Sequence, residues 1–276
     1  MNGKTAEKIA LSMKNTNENQ RYDQGEVTGK IESTPIIKEF GEWNLAKPEH
    51  FNQSMMFPVE EIENAVIKQA IEELVKHHDV LRAVYRENTL EILPIAESKL
   101  CDFYEFDYRD EADKKLAVEN KCTEIQGSID LENGPLVKIA VFELGDTKQM
   151  MFCVHHLVVD VVSWGIIRED FYTAVNQLNS RKKVCLSEKT ASFIEWSNLL
   201  SEYGEQICYK EREYWIKVNK KLPEGKLRWN NTKDLPGSAL AFFDEKTTDT
   251  LLKKSRNAYG AGEFFLTEAM PFFMVT

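Results

Sequence analysis

The chain has 276 residues, 42 % of them hydrophobic, with 35 Lys and Arg against 45 Asp and Glu, a formal charge of −10 and a pI near 5.2. That acidic balance argues against nucleic acid or an anionic membrane surface as partner, and otherwise speaks mainly to solubility. The length suffices for one large domain or two lobes.

Five cysteines, Cys101, Cys122, Cys153, Cys185 and Cys208, are far apart, odd in number and form no CxxC. They read as reduced thiols. No apolar run follows Met1, and none approaches membrane-spanning length. A soluble, cytoplasmic protein without a membrane partner is expected.

In chain order, residues 1–26 are polar, with a short helix over 5–14 and an Asn/Gln/Glu-rich stretch over 15–24. Such a stretch reads equally as a linker or as a disordered terminus. Residues 51–57 read as a strand. Residues 59–77 read as an amphipathic helix, with Ile62, Val66, Ala70 and Leu74 at helical spacing. His77-His78-Asp79 closes that helix. Strands are predicted over 81–85, 90–95 and 103–107, and a helix over 111–126. Asn133-Gly134-Pro135 is a turn signal. It precedes an apolar strand over 136–144, a turn over 145–147 and a strand over 150–154. Two strands joined by so short a turn form a hairpin, so the sheet is mixed and the class α/β.

The next ten residues, His155 to Trp164, read HHLVVDVVSW. Successive side chains of a strand face opposite ways. Only one of His155 and His156 can therefore line a cleft, which argues against a two-histidine metal site. A helix over 163–178 follows, with Ile167, Phe171, Ala174, Val175 and Leu178 on one face. Ser163 lacks the glycines of a nucleophile elbow, and helix capping is its expected job. Residues 179–188 form a polar connector. Helices are predicted over 193–203 and 206–218, with Trp196, Leu199, Leu200, Tyr214 and Trp215 inward. A loop over 223–237, a strand over 239–244, a helix over 247–259 and an apolar end over 264–275 complete the chain.

His155, His156, Asp160 and the Ser163-Trp164 pair resemble the HHxxxDG core motif of the condensation-type domains of nonribosomal peptide synthetases. The continuation into Ser-Trp looks most like the epimerization subfamily. Ser33-Thr34-Pro35-Ile36-Ile37 resembles that family's opening motif, LTPIQxxFF. The resemblance implies a chloramphenicol-acetyltransferase-like two-layer sandwich lobe. It implies that His156 is the catalytic base and that His155 is structural. Asp160 shapes the turn through an ion pair, and Arg82 is its expected partner. Two positions depart from the pattern. Val161 stands where the family has Gly, which permits positive φ and close backbone approach. Gly165 stands where it has Arg.

The resemblance also implies a domain plan. Residues 1–26 are a carrier-protein-like tail and linker, 27–180 the N-terminal lobe, and 181–276 bridging helices and the start of an incomplete C-terminal lobe. The family glutamate that works opposite the motif histidine comes from the second lobe, and no residue here matches it. The implied reaction inverts the Cα of an aminoacyl or peptidyl thioester. No cofactor binds the chain directly, since the substrate rides on the 4′-phosphopantetheine of a peptidyl carrier protein, with neighbouring synthetase modules as further partners. Two other readings stay open: amide-bond condensation on the same fold, and a non-catalytic lobe that only docks a carrier protein.

Overall fold

The computed structural model describes residues 22–206, 208–221 and 242–259. The tail helix expected over 5–14, the loop over 223–237, the first half of the strand expected over 239–244 and the apolar end over 264–275 lie outside them, and the described half, 242–244, is not a strand. The chain divides into two units, Met1–Lys220 and Lys221–Thr276.

The first unit is built on two sheets. Strands β1 (Gly29–Lys30), β3 (Ala83–Arg86) and β4 (Thr89–Ile92) form a small antiparallel sheet in the order β1-β4-β3. Strands β2 (Asn52–Pro58), β5 (Asp102–Asp107), β6 (Val137–Glu143) and β7 (Lys148–His155) form the main sheet in the order β2-β7-β6-β5. β6 and β7 are the antiparallel hairpin predicted from the short turn, whereas β5 and β6 run parallel, so the sheet is mixed. β6 and the end of β7 are buried on both faces, which is why they read as continuous apolar runs.

Helix α1 (Pro35–Glu42) opens at Pro35, whose missing N–H costs nothing in a first turn. Helix α2 (Asn64–His77) begins five residues later than the apolar pattern suggested. The Val59 N–H is spent on the Lys148 carbonyl at 2.9 Å, so the chain leaves the sheet before it can coil. Its buried stripe is Ile67, Ala70, Ile71, Leu74 and Val75. Helix α3 (Lys114–Gln126) buries only Ile125 fully and is capped by Asp113, which accepts from Leu116 N–H. Helix α4 (Val161–Asn179) packs against α2 and buries Trp164, Ile167, Asp170, Phe171, Ala174 and Val175.

Helices α5 (Phe193–Gln206) and α6 (Cys208–Lys221) sit where two helices were expected. Their aromatic faces differ from expectation. Trp196, Leu199, Tyr214 and Trp215 are between 47 % and 61 % exposed rather than inward. Helical spacing identifies an apolar face but not whether a neighbour covers it. In the second unit the described residues contain one helix, α7 (Glu245–Tyr259). No helix among the described residues is long and apolar enough to cross a membrane.

Candidate functional site

β7 ends at His155, and a turn over 156–160 delivers the chain to α4. Leu157, Val158 and Val159 are buried in that turn, which anchors it to the core. The two histidines then meet different surroundings. His155 is 0 % exposed, with its ring edge-on to Phe40 and Phe51. Its Nε2–H donates to the Pro48 carbonyl at 3.0 Å, and its Nδ1 accepts from Leu157 N–H at 3.3 Å. Burial pushes its pKa down to about 4, so the ring is neutral at pH 7.

His156 is half-buried and stacks on Phe51 with ring centroids 4.9 Å apart. The pairing of Asn52 with His155 puts Phe51 opposite His156, and the His156 N–H donates to the Phe51 carbonyl at 2.8 Å. The ring Nδ1–H donates to the Val159 carbonyl at 2.8 Å, while Nε2 lies 3.0 Å from Gln53 Nε2. Gln53 Oε1 accepts from Trp164 Nε1–H at 2.8 Å. Phe51, just before β2, and Gln53 on it fall on one side of the chain by alternation. That alternation was the only signal for Gln53 in the sequence, and the register with β7 was needed to read it.

Asp160 does not pair with Arg82. It is the N-cap of α4, and its carboxylate accepts from Ser163 N–H at 2.7 Å and Ser163 Oγ–H at 2.6 Å. Those hydrogen bonds hold its carboxyl below the usual range. Ser163 is thus the capped residue, not the cap. Arg82 has no donor to spare. Its Nε reaches the Leu93 carbonyl at 3.1 Å, and Nη1 reaches the Val75 and Lys76 carbonyls at 3.0 and 2.9 Å. Nη2 reaches the Val27 carbonyl at 3.1 Å and Asp79 Oδ1 at 2.8 Å. Arg82 therefore closes the C-terminal end of α2, where helix carbonyls lack partners. This also explains why the strand expected over 81–85 begins two residues late, at Ala83, after a 3-10 turn over 79–82.

Val161 is the first residue of α4 and is not among the residues with positive φ. The departure from glycine carries no backbone strain here. A Cβ on Gly165 would meet nothing within 4 Å, so packing does not demand the second departure either.

His77, His78 and Asp170 form a second cluster. His78 Nε2 lies 2.8 Å from Asp170 Oδ2 and ties α2 to α4. Burial, with His78 beside it, lowers the His77 pKa. Ligand atoms of these three residues lie within 4.8 Å of one another, a spacing a metal ion could use. They line a cavity of about 720 Å³ together with Val158, Ser163 and Ile167. His156 does not line it. Asp79 accepts from Arg82, from Val27 N–H and from Lys189 Nζ, and so clamps three segments together.

A family model described as Condensation domain matches residues 40–261. The chain is 36 % identical over 205 residues to gramicidin S synthase 1 of Brevibacillus brevis, covering 72 % of this chain and 19 % of that protein. It is 31 % identical over 270 residues to tyrocidine synthase 1 of Brevibacillus parabrevis, covering 94 % of this chain and 24 % of that one. The chain thus spans less than a quarter of the length of either synthetase. Among solved structures, the epimerization domain from the third module of tyrocidine synthetase B matches with a TM-score of 0.73 and 31 % identity. That match covers 86 % of this chain and 57 % of that one. The starter condensation domain of rhizomide synthetase matches in fold, with a TM-score of 0.58 at 15 % identity, over 72 % of this chain and 49 % of that one.

Proposed function

The chain belongs to the condensation-domain family of nonribosomal peptide synthetases, and from that premise we propose that its reaction is epimerization at the Cα of a carrier-bound aminoacyl or peptidyl thioester. The substrate would arrive on the phosphopantetheine arm of a peptidyl carrier protein, with neighbouring modules supplying and consuming it. The likeness to an epimerization domain at 31 % identity supports this finer reading.

The observation that carries it is the state of His156. Its Nδ1 is committed as a donor to the Val159 carbonyl, which leaves Nε2 as the acceptor. A neutral imidazole with an unprotonated ring nitrogen is what a general base requires. His156 would take the Cα proton while the C–H electron pair passes into the thioester enolate. Reprotonation from the opposite face by solvent water, with His156 giving its proton back to water, inverts the centre; reprotonation by His156 restores it. His155 is too buried to reach substrate and holds the strand end instead.

The test is deuterium wash-in. The purified chain is mixed with an aminoacyl-carrier thioester in D₂O, and Cα deuteration is followed by mass spectrometry beside His156→Ala. Incorporation by the unmutated chain and loss of ~10²–10⁴-fold in the variant is expected. No incorporation by a folded chain would sink the reading.

Amide-bond condensation is the second reading, favoured by the fold likeness to a starter condensation domain. The same nitrogen could assist an attacking amine. Donor and acceptor thioesters supplied together distinguish it, because product amide would form without Cα exchange.

A further inference from the structure

We propose that Gln53 is a positioning residue that holds His156 in its base form, and that Trp164 fixes Gln53 in the one orientation that does so. Its role in catalysis rests on the reading of His156 as the base; its role in setting the tautomer does not.

The argument is one of donors and acceptors. An indole nitrogen can only donate. Trp164 Nε1–H points at one end of the Gln53 amide at 2.8 Å, so that end is the oxygen. The other end, the NH₂ group, then faces His156 Nε2 at 3.0 Å. An NH₂ group can only donate, so Nε2 must accept and carries no proton. At the far side of the ring a carbonyl, which can only accept, lies 2.8 Å from Nδ1. Both ends of the ring thus specify the same neutral tautomer. Turning the amide over would set NH₂ against the indole N–H and oxygen against the Nε2 lone pair, exchanging two hydrogen bonds for two repulsions. Phe51, stacked on the ring, and Phe152, edge-on to the Trp164 indole at 5.6 Å, fix the planes in which these bonds form.

The relay also acts on the reaction cycle. When Nε2 receives the Cα proton, the new N–H confronts the amide N–H. The amide can accept that proton's hydrogen bond only by turning and abandoning Trp164. The protonated ring is therefore the disfavoured partner, and the arrangement favours loss of that proton and return of His156 to its base form. An arrangement that only filled space would not prescribe which nitrogen is protonated.

The experiment is ¹⁵N NMR of the chain with labelled histidine at neutral pH, with the His156 signals assigned by their loss in His156→Ala. The unmutated chain should show the Nδ1–H tautomer. Gln53→Glu replaces the donor by a carboxylate that accepts from both the indole and the ring, so the imidazole should become doubly protonated at the same pH. Wash-in should fall roughly tenfold or more with it. Trp164→Phe keeps the aromatic packing and frees the amide to turn; a mixture of tautomers is expected, and this variant decides the matter if Gln53→Glu does not fold. An Nε2–H tautomer in the unmutated chain, or spectra unmoved by folded Gln53→Glu and Trp164→Phe, would overturn the proposal. An Nδ1–H ring that responds to both variants in a chain with no wash-in would uphold the relay and overturn the epimerization reading.

Discussion

Asp160 and Arg82 are joined by expectation and separated by geometry. Asp160 caps α4 through Ser163, so Asp160→Ala should cost about 0.5–2 kcal/mol, the range for losing an N-cap. Arg82 has a 0 % exposed side chain and serves four carbonyls and a carboxylate. Arg82→Ala should cost ~3–5 kcal/mol, because it leaves four carbonyls without their donor and removes one of the two cations on Asp79. Urea unfolding of the two single variants and the double checks both values. If the residues formed one ion pair, the double would cost little more than the worse single; here the losses should add. The sequence showed both as candidates because each sits in a recognisable motif. It could not show the partner, since a fork of five donors is satisfied by whatever carbonyls the fold brings near.

At the scale of the element, the difference lies between helix faces that are covered and faces that are not. Phe171 is buried in α4 against Phe57 and Tyr172, so Phe171→Ala should cost ~3–5 kcal/mol. Leu199, on α5, is 54 % exposed, and Leu199→Ser should stay within about 0.5 kcal/mol. Thermal or urea midpoints of the two variants measure this directly. A large loss at Leu199 would mean that its face is covered in solution. The order of strands and helices through α4 was readable because periodicity is local: continuous apolar runs for β6 and β7, helical spacing for α2 and α4. Boundaries were less readable. α2 starts late because the Val59 N–H bonds to Lys148, 89 residues on by count along the chain. β3 starts at Ala83 rather than at residue 81 because Leu81 and Arg82 belong to a 3-10 turn from which Arg82 reaches the end of α2.

For the whole molecule, buried histidine links stability to pH. His155 has its pKa pushed down to about 4 by burial, and His77 is lowered by the same cause. An unfolded histidine titrates near 6.5. Between those values the unfolded chain binds more protons than the folded one, so stability is fully present above about pH 6.5 and is lost as pH falls toward 4. The urea midpoint should therefore drop steadily from pH 7 to pH 4.5. His155→Gln, which offers the Pro48 carbonyl a donor that does not titrate, should flatten that slope even if it lowers the midpoint at pH 7. A slope unchanged in a folded variant would mean that His155 does not carry the linkage.

The sequence by itself determined the α/β class, the hairpin leading into the motif and the likeness to a condensation-type domain, and that likeness singled out His156 over His155 as the candidate base. Each depends on residues close together in the chain, where alternation and motif spacing act. Only the tertiary structure decided what each motif residue touches. It made Asp160 a helix cap, left Val161 unstrained, gave Arg82 to the end of α2, and brought Gln53 between His156 and Trp164. Gln53 lies 103 residues from the first and 111 from the second. The physical reason is that hydrogen-bond partners across a sheet are set by strand register. The pairing of β2 with β7 exists only once the core has closed around them.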